Sequence, residues 1–281
     1  MTILVTGSRG RVGRTLIDLL HDRGLAVRAV SRKPEELQLP DGVERARLSL
    51  DEPQTFADAL RGVTAVFLYA EPSHIDVFLK EAVAAGVQHI VLLSSTTVLA
   101  PGAATDPIGR HHWEAEQALI AAPVTATLLR PGSFATNALG WAPAIAAGSP
   151  LRLPYPDAHT DPIHEKDIAE AALAALTDPR PVGGAYELSG PESLTFRQQA
   201  EAIGRATGRD VTIETVTPQE WKQDVSAFMP GAFADALLDA WAAGVGHPQP
   251  VRPGVQQLTG HPARSFASWA EDHAADFTAA G

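Results

Sequence analysis

The run Ile3-Leu4-Val5-Thr6-Gly7-Ser8-Arg9-Gly10-Arg11-Val12-Gly13 sets an apolar strand ahead of three glycines spaced G-x-x-G-x-x-G, with a helical pattern behind them. That order builds a cradle for a pyrophosphate. Gly7 permits a tight turn, Gly10 lets backbone approach phosphate oxygens, and Gly13 lets the helix pack closely on the strand. The helix N-terminus then turns its free N–H groups and partial positive charge on the anion. The pattern points to a dinucleotide site rather than an ordinary glycine-rich βα turn.

Ser31-Arg32-Lys33 ends the second apolar run. An NAD site wants a carboxylate there to accept the ribose 2′-OH. A carboxylate would repel a 2′-phosphate, whereas Arg32 and Lys33 attract one through charge-assisted hydrogen bonds. NADP(H) is therefore the preferred cofactor. NAD(H) stays open, because Glu35 and Glu36 are at hand to balance the two cations.

Other chemistries are missing. The chain has no cysteine, which removes thiolate nucleophiles, disulfides, Cys-ligated zinc and iron–sulfur clusters. No G-x-S-x-G elbow marks a serine hydrolase. His111 and His112 are adjacent and would point about 100° apart on a helix. With no H-x-x-x-H pair, no metal site is expected. The three tyrosines, Tyr69, Tyr155 and Tyr186, have no lysine four residues later.

Elements that position the glycines follow from periodicity. Apolar runs at Ile3–Thr6, Ala26–Val30, Ala65–Tyr69, Ile90–Leu93, Thr125–Leu129 and Ala185–Leu188, with a weaker strand at Glu44–Leu48, alternate with amphipathic segments, which predicts a parallel sheet between helices. Ser73, with Asp76 three residues on, reads as an N-cap. Residues 135–162 read as irregular or lid-like. Thr195 with Gln198 and Thr217 with Glu220 read as capping boxes, flanking a strand at Val211–Val216. A last helix is expected near Arg264–Phe277. The 281 residues suit one cofactor domain plus a smaller appended region. A net charge of −11 argues against general nucleic-acid binding. No apolar run is long enough to span a membrane. With a strand expected from Ile3, no signal peptide is expected ahead of it, and a cytoplasmic location fits the lack of cysteine.

These motifs together resemble the NmrA-like group of atypical, extended short-chain dehydrogenase/reductases. The resemblance rests on the glycine run, Ser31-Arg32-Lys33-Pro34, Ser94-Ser95, Leu129-Arg130-Pro131-Gly132, the segment from Asp161 to Ala169, Tyr186-Glu-Leu-Ser-Gly190 and Leu194-Thr-Phe196. It covers most of residues 1–200. It implies an α/β fold: a doubly wound parallel Rossmann sheet over 1–134, with 163–189 returning to it. Residues 135–162 and 190–281 would form a smaller mixed α/β substrate or cap region. Thr6, Ser8, Arg9, Arg11 and Val12 would accompany the glycines around the pyrophosphate, and Ser49-Leu50 would lie near adenine. Tyr69, Ala70 and Glu71 would border the central ribose. Ser94, Ser95, Pro131, Gly132 and Ser133 would pass the nicotinamide.

The superfamily's Tyr-x-x-x-Lys pair falls on Ile108 and His112, so its usual alcohol dehydrogenase chemistry is not expected. The resemblance implies a reductase passing hydride from NADPH to a quinone-like or other conjugated acceptor, with Ser95 and His112 as polar helpers. Phe134, Asn137 and Trp141, joined by Leu139, Trp221, Phe228 and Met229, would line a pocket for an aromatic or conjugated small molecule. A non-enzymatic NADP(H) sensor acting through a protein partner, and a narrow-specificity biosynthetic reductase or isomerase, are the alternatives. A homodimer is compatible with the chain's size.

Overall fold

The computed structural model describes residues 1–178, 180 and 183–278. The expected runs become strands; the central ones are buried on both faces, whereas the two edge strands are more exposed. β1 (Thr2–Val5), β2 (Ala26–Ser31), β3 (Glu44–Arg47), β4 (Ala65–Tyr69), β5 (His89–Leu93), β6 (Thr125–Pro131) and β9 (Ala185–Leu188) form one sheet in the order β3-β2-β1-β4-β5-β6-β9. Every pairing in it is parallel. The order reverses between β1 and β4, the switch point where such sheets bind ligands beyond their carboxyl ends.

Helices cover both faces. On one, α1 (Arg11–Asp22) and α6 (Glu165–Thr177) bury Val12, Leu16, Leu20, Ile168 and Leu173 against Ile3, Val5, Phe67 and Leu129. On the other, α2 (Phe56–Leu60), α3 (Ile75–Ala84) and α4 (Arg110–Ala121) bury Phe56, Phe78, Leu79, Ala115 and Leu119 against Leu4, Val66 and Leu92. Phe56 and Phe78 meet edge to face at 5.3 Å, a geometry set by the ring quadrupole.

Beyond β6 lie α5 (Ala142–Ala146), β7 (Leu151–Leu153), β8 (His159–Thr160), β10 (Leu194–Thr195), α7 (Phe196–Thr207), β11 (Ile213–Thr215), α8 (Pro218–Val225), α9 (Gly231–Gly244), α10 (Gly254–Thr259) and α11 (Phe266–Asp272). Both expected capping boxes are present, Thr195 with Gln198 and Thr217 with Glu220.

Three local expectations are corrected. The stretch after residue 134 is not irregular: it holds a 3₁₀ turn over Ala135–Trp141, then α5, β7 and β8. Its alanines are small enough to pack Ala135, Ala138 and Ile145 against Ile203, Trp269 and Phe277, and Pro143 sits in the first helical turn, where it costs nothing. Ser73 does not cap α3. Its hydroxyl and N–H both bind Glu71 Oε1, at 2.6 and 3.1 Å, and His74 occupies the cap position. The last helix starts at Phe266, where the Ser265 hydroxyl accepts the Ser268 N–H, and gives way after Asp272 to a 3₁₀ turn.

Candidate functional site: a dinucleotide cradle joined to an aromatic cavity

The glycine turn lies between the end of β1 and the start of α1. Gly7 takes φ +64°, open to glycine at little cost. A Cβ on Gly13 would stand 2.4 Å from the Gly7 carbonyl oxygen, so helix and turn touch through bare backbone. The Ser8 hydroxyl donates to Val5 O at 2.8 Å and accepts the Val30 N–H at 3.1 Å, locking the turn to β2. Thr6 does the same toward β4, giving its hydroxyl to Phe67 O at 3.1 Å and accepting the Tyr69 N–H at 2.9 Å. Val12 is buried in the core and offers the turn its backbone alone.

Thr6, Gly7, Ser8, Arg9, Gly10, Ser31, Arg32, Tyr69 and Glu71 line one cleft with Val30, Leu48, Ser49, Leu50 and Asp51. The structure thus brings half of the sequence-derived cofactor residues to one place, with Ser49 and Leu50, and adds Val30, Leu48 and Asp51. The expected cations divide. Arg9 and Lys33 both pair with Glu36, at 3.0 and 2.9 Å. The hydrogen bond from Lys33 is the main reason the Glu36 carboxyl is held below its usual range. The Arg11 guanidinium turns away to Asp276 at 3.1 Å, leaving its N–H to the cradle. Arg32 is exposed and makes no ion pair among the described residues.

Farther along the carboxyl edge, β5 ends beside β6, where the Ser94 N–H donates to Leu129 O at 2.8 Å. Three buried polar atoms there have no partner among the described residues: Ser94 Oγ, Thr97 Oγ1 and His112 Nδ1. Unpaired buried polar atoms are costly and call for a ligand or water. The Ser95 hydroxyl accepts the Thr97 N–H at 3.2 Å and keeps its own proton to give. Burial pushes the His112 imidazole below its ordinary pKa, against the pull of Glu116. That shift favours its neutral, hydrogen-bonding form. Thr97 is a residue that sequence reading missed, since one threonine beyond a serine pair carries no pattern.

The turn after β6 is held from below. Asp161 accepts the Ser133 N–H at 3.0 Å and an Arg252 N–H at 2.7 Å. A Cβ on Gly132 would fall 2.2 Å from Asp161 Oδ2. Burial raises the Asp161 carboxyl, opposed by those two donors. Pro131 is buried and Ala70 half-buried beside this edge.

Ser133 also opens onto a cavity of about 430 Å³. Phe134, Asn137 and Trp141 line it, as do Trp221, Phe228 and Met229; Leu139 does not and packs in the neighbouring core. Phe196, Phe233, Leu237 and Trp241 complete the walls. Trp241 meets Phe196 at 5.3 Å and Trp221 at 4.8 Å, both edge to face. Residues 233, 237 and 241 recur every fourth position on α9, a spacing that reads as ordinary core until the facing element is known. None of the lining side chains is charged.

Asp167, Glu170 and His261 also approach one another closely. The Arg264 guanidinium already lies between the two carboxylates, with Nη2 2.7 Å from Glu170 Oε1 and Nη1 against Asp167, so the group is an ion-pair cluster.

A parallel sheet with a glycine cradle at its switch point is the architecture of a dinucleotide-binding protein, and the named oxidoreductases to which the chain is similar make it an NAD(P)H-dependent oxidoreductase. The chain belongs to the NAD(P)H-binding family, whose model matches residues 7–179, within the NmrA-like, atypical short-chain dehydrogenase/reductase class. It is 39% identical to a (4-alkanoyl-5-oxo-2,5-dihydrofuran-3-yl)methyl phosphate reductase of Streptomyces griseus, across 98% of this chain and 99% of that one. It is 35% identical to an NAD(P)H azoreductase of Xenophilus azovorans, across 99% and 100%. Among solved structures, an NADPH-dependent quinone oxidoreductase of Escherichia coli complexed with NADPH superposes with a TM-score of 0.80 at 25% identity, over 96% of this chain and 99% of that one. No helix among the described residues is long and apolar enough to cross a membrane.

Proposed function

We propose that this protein is a reductase that passes a hydride from NADPH to an uncharged, conjugated acceptor such as a quinone. The carrying observation is the charge-free aromatic cavity, lined in part by Ser133 at the turn after β6. Flat apolar walls with few polar groups suit a neutral planar ligand. A phosphate ester, as in the name of the Streptomyces griseus relative, would find no cation in this lining to receive it.

The cofactor residues fit NADPH. Arg32, unpaired at the end of β2, would meet the 2′-phosphate, and the backbone N–H groups of the glycine turn would meet the pyrophosphate. Ser94, Thr97 and His112 would pair with the nicotinamide end, which relieves three orphaned polar atoms at once. When bound, the reduced nicotinamide supplies the hydride. The residues of this chain hold it and orient it: Asp161 fixes the Gly132-Ser133 turn, and the aromatic walls exclude water from the acceptor's faces. His112, its neutral form favoured by burial, positions rather than protonates. The reduced acceptor is a delocalised anion and takes its proton from water.

Steady-state oxidation of NADPH followed at 340 nm tests this, using menadione and its sulfonated analogue. Turnover of the neutral quinone, with the sulfonate at least tenfold poorer in kcat/KM, is expected. Tight NADPH binding with no turnover on any neutral acceptor would sink the reading.

A further inference from the structure

We propose that the Tyr69 hydroxyl donates a hydrogen bond to the pyrophosphate of the bound dinucleotide, the one side-chain donor in a cradle otherwise built from backbone N–H groups. The proposal rests on membership of the NAD(P)H-binding family and not on the identity of the acceptor.

Tyr69 is the last residue of β4, fixed by its N–H to Thr6 Oγ1. Its ring lies over the glycine turn: a Cβ on Gly7 would stand 2.3 Å from Tyr69 Cε2. Phe67 meets the ring edge-on at 5.7 Å. The hydroxyl thereby reaches the N-terminus of α1. It lies 3.5 Å from where a Gly10 Cβ would be, on the side of the Gly13 N–H. The same residue lines the cofactor cleft.

A phenol has a proton to give, and the Tyr69 hydroxyl gives it to no protein acceptor among the described residues. Burial pushes this phenol up to about 12, against the Gly13 N–H, so it stays a neutral donor and never competes with the phosphate as an anion. The acceptor favoured at a helix N-terminus is an anion. The other side chains of the turn are committed elsewhere: Thr6 to Phe67 O, Ser8 to Val5 O, Arg9 to Glu36, and Arg11 to Asp276. Among the side chains at the glycine turn, Tyr69 is the one left to serve the pyrophosphate.

Calorimetry on the full chain with two ligands isolates this contact. NADP⁺ contains the pyrophosphate; adenosine 2′-monophosphate lacks it. Tyr69→Phe keeps the ring and is expected to weaken NADP⁺ about tenfold, the scale of a lost hydrogen bond to a charged group, while 2′-AMP binds as before. Tyr69→Met, whose flexible chain fills the space over Gly7, is expected to give the same contrast and stands in should the phenylalanine variant fold poorly. Unchanged or tighter NADP⁺ binding would overturn the proposal. Equal weakening of both ligands would overturn it too. No turnover enters the measurement, so failure of the acceptor reading leaves this result intact.

Discussion

The Arg130 guanidinium grips the Glu116 carboxylate through two hydrogen bonds, Nε to Oε1 at 2.9 Å and Nη2 to Oε2 at 2.6 Å. This bidentate pair ties α4 to β6, so it sets His112, one turn before Glu116, against the edge where β5 and β6 end. Glu116 is almost wholly buried and Arg130 mostly so. The hydrogen bond from Glu116 is the chief reason the Arg130 pKa is raised.

Glu116→Ala leaves that guanidinium buried without its partner. The expected cost is about 3–5 kcal/mol, the range for breaking one side of a buried pair, seen as a lower Tm. Glu116 also favours the charged form of His112. Glu116→Gln should therefore lower the His112 pKa further, measurable by NMR titration of the imidazole. A rise would contradict the placement of the two groups.

Arg32 is expected to separate the two cofactors. A charge-assisted contact to a 2′-phosphate is worth about 2 kcal/mol, so Arg32→Ala should weaken NADPH about 30-fold and leave NADH nearly unchanged. The ratio of the two dissociation constants is the readout. A ratio that does not move would shift recognition of the phosphate away from the end of β2.

Gly13→Ala drives a methyl group into the Gly7 carbonyl, which is backbone and has no rotamer to give. Overpacking of this kind costs about 1–3 kcal/mol. It also lifts the N-terminus of α1 from the turn. Loss of NADPH binding together with a lower Tm is expected from fluorescence titration and thermal unfolding. Normal binding would show that the close approach is dispensable.

Trp241→Ala removes two edge-to-face partners from the cavity wall while touching nothing in the cofactor cleft. Such ring pairs contribute about 0.5–1.5 kcal/mol each. The KM for a neutral quinone should rise about tenfold, with the NADPH dissociation constant unchanged. An effect on both would place the cavity and cleft in closer coupling than their separate linings suggest.

Acid should destabilise the fold in two stages. Burial lowers the pKa of both His89 and His112. The unfolded chain therefore binds protons first, and their contribution, complete above the ordinary histidine value, is lost as pH falls below about 6.5. Burial alone would raise Glu165. Hydrogen bonding by His164 and by its own backbone N–H, with the charges of His164 and His273, holds it down at about 2 instead. That contribution is present above the unfolded carboxyl value and is lost as pH drops from about 4.5 toward 2. Denaturant unfolding across pH should show both stages, and Glu165→Gln should flatten the lower one.

The sequence by itself determined the sheet and the cradle. Strands buried on both faces carry unbroken apolar runs, and a pyrophosphate turn needs glycines at fixed spacing, so β1, Gly7, Gly10, Gly13 and the two capping boxes are local signals. Tertiary structure decided what each side chain is free to do. Arg9, Arg11, Arg32 and Lys33 look alike in the chain; Glu36 is a local partner for Lys33, but only folding brings it to Arg9 and Asp276 to Arg11, and leaves Arg32 without an ion pair among the described residues. Trp241 and Phe196 are ordinary apolar residues until α9 meets α7 across a cavity. His112 is a near-neutral base by type, yet desolvation against α4's neighbours decides its charge. Contacts between residues distant in sequence fix burial and pairing, and those two quantities set charge state, donor availability and pocket shape.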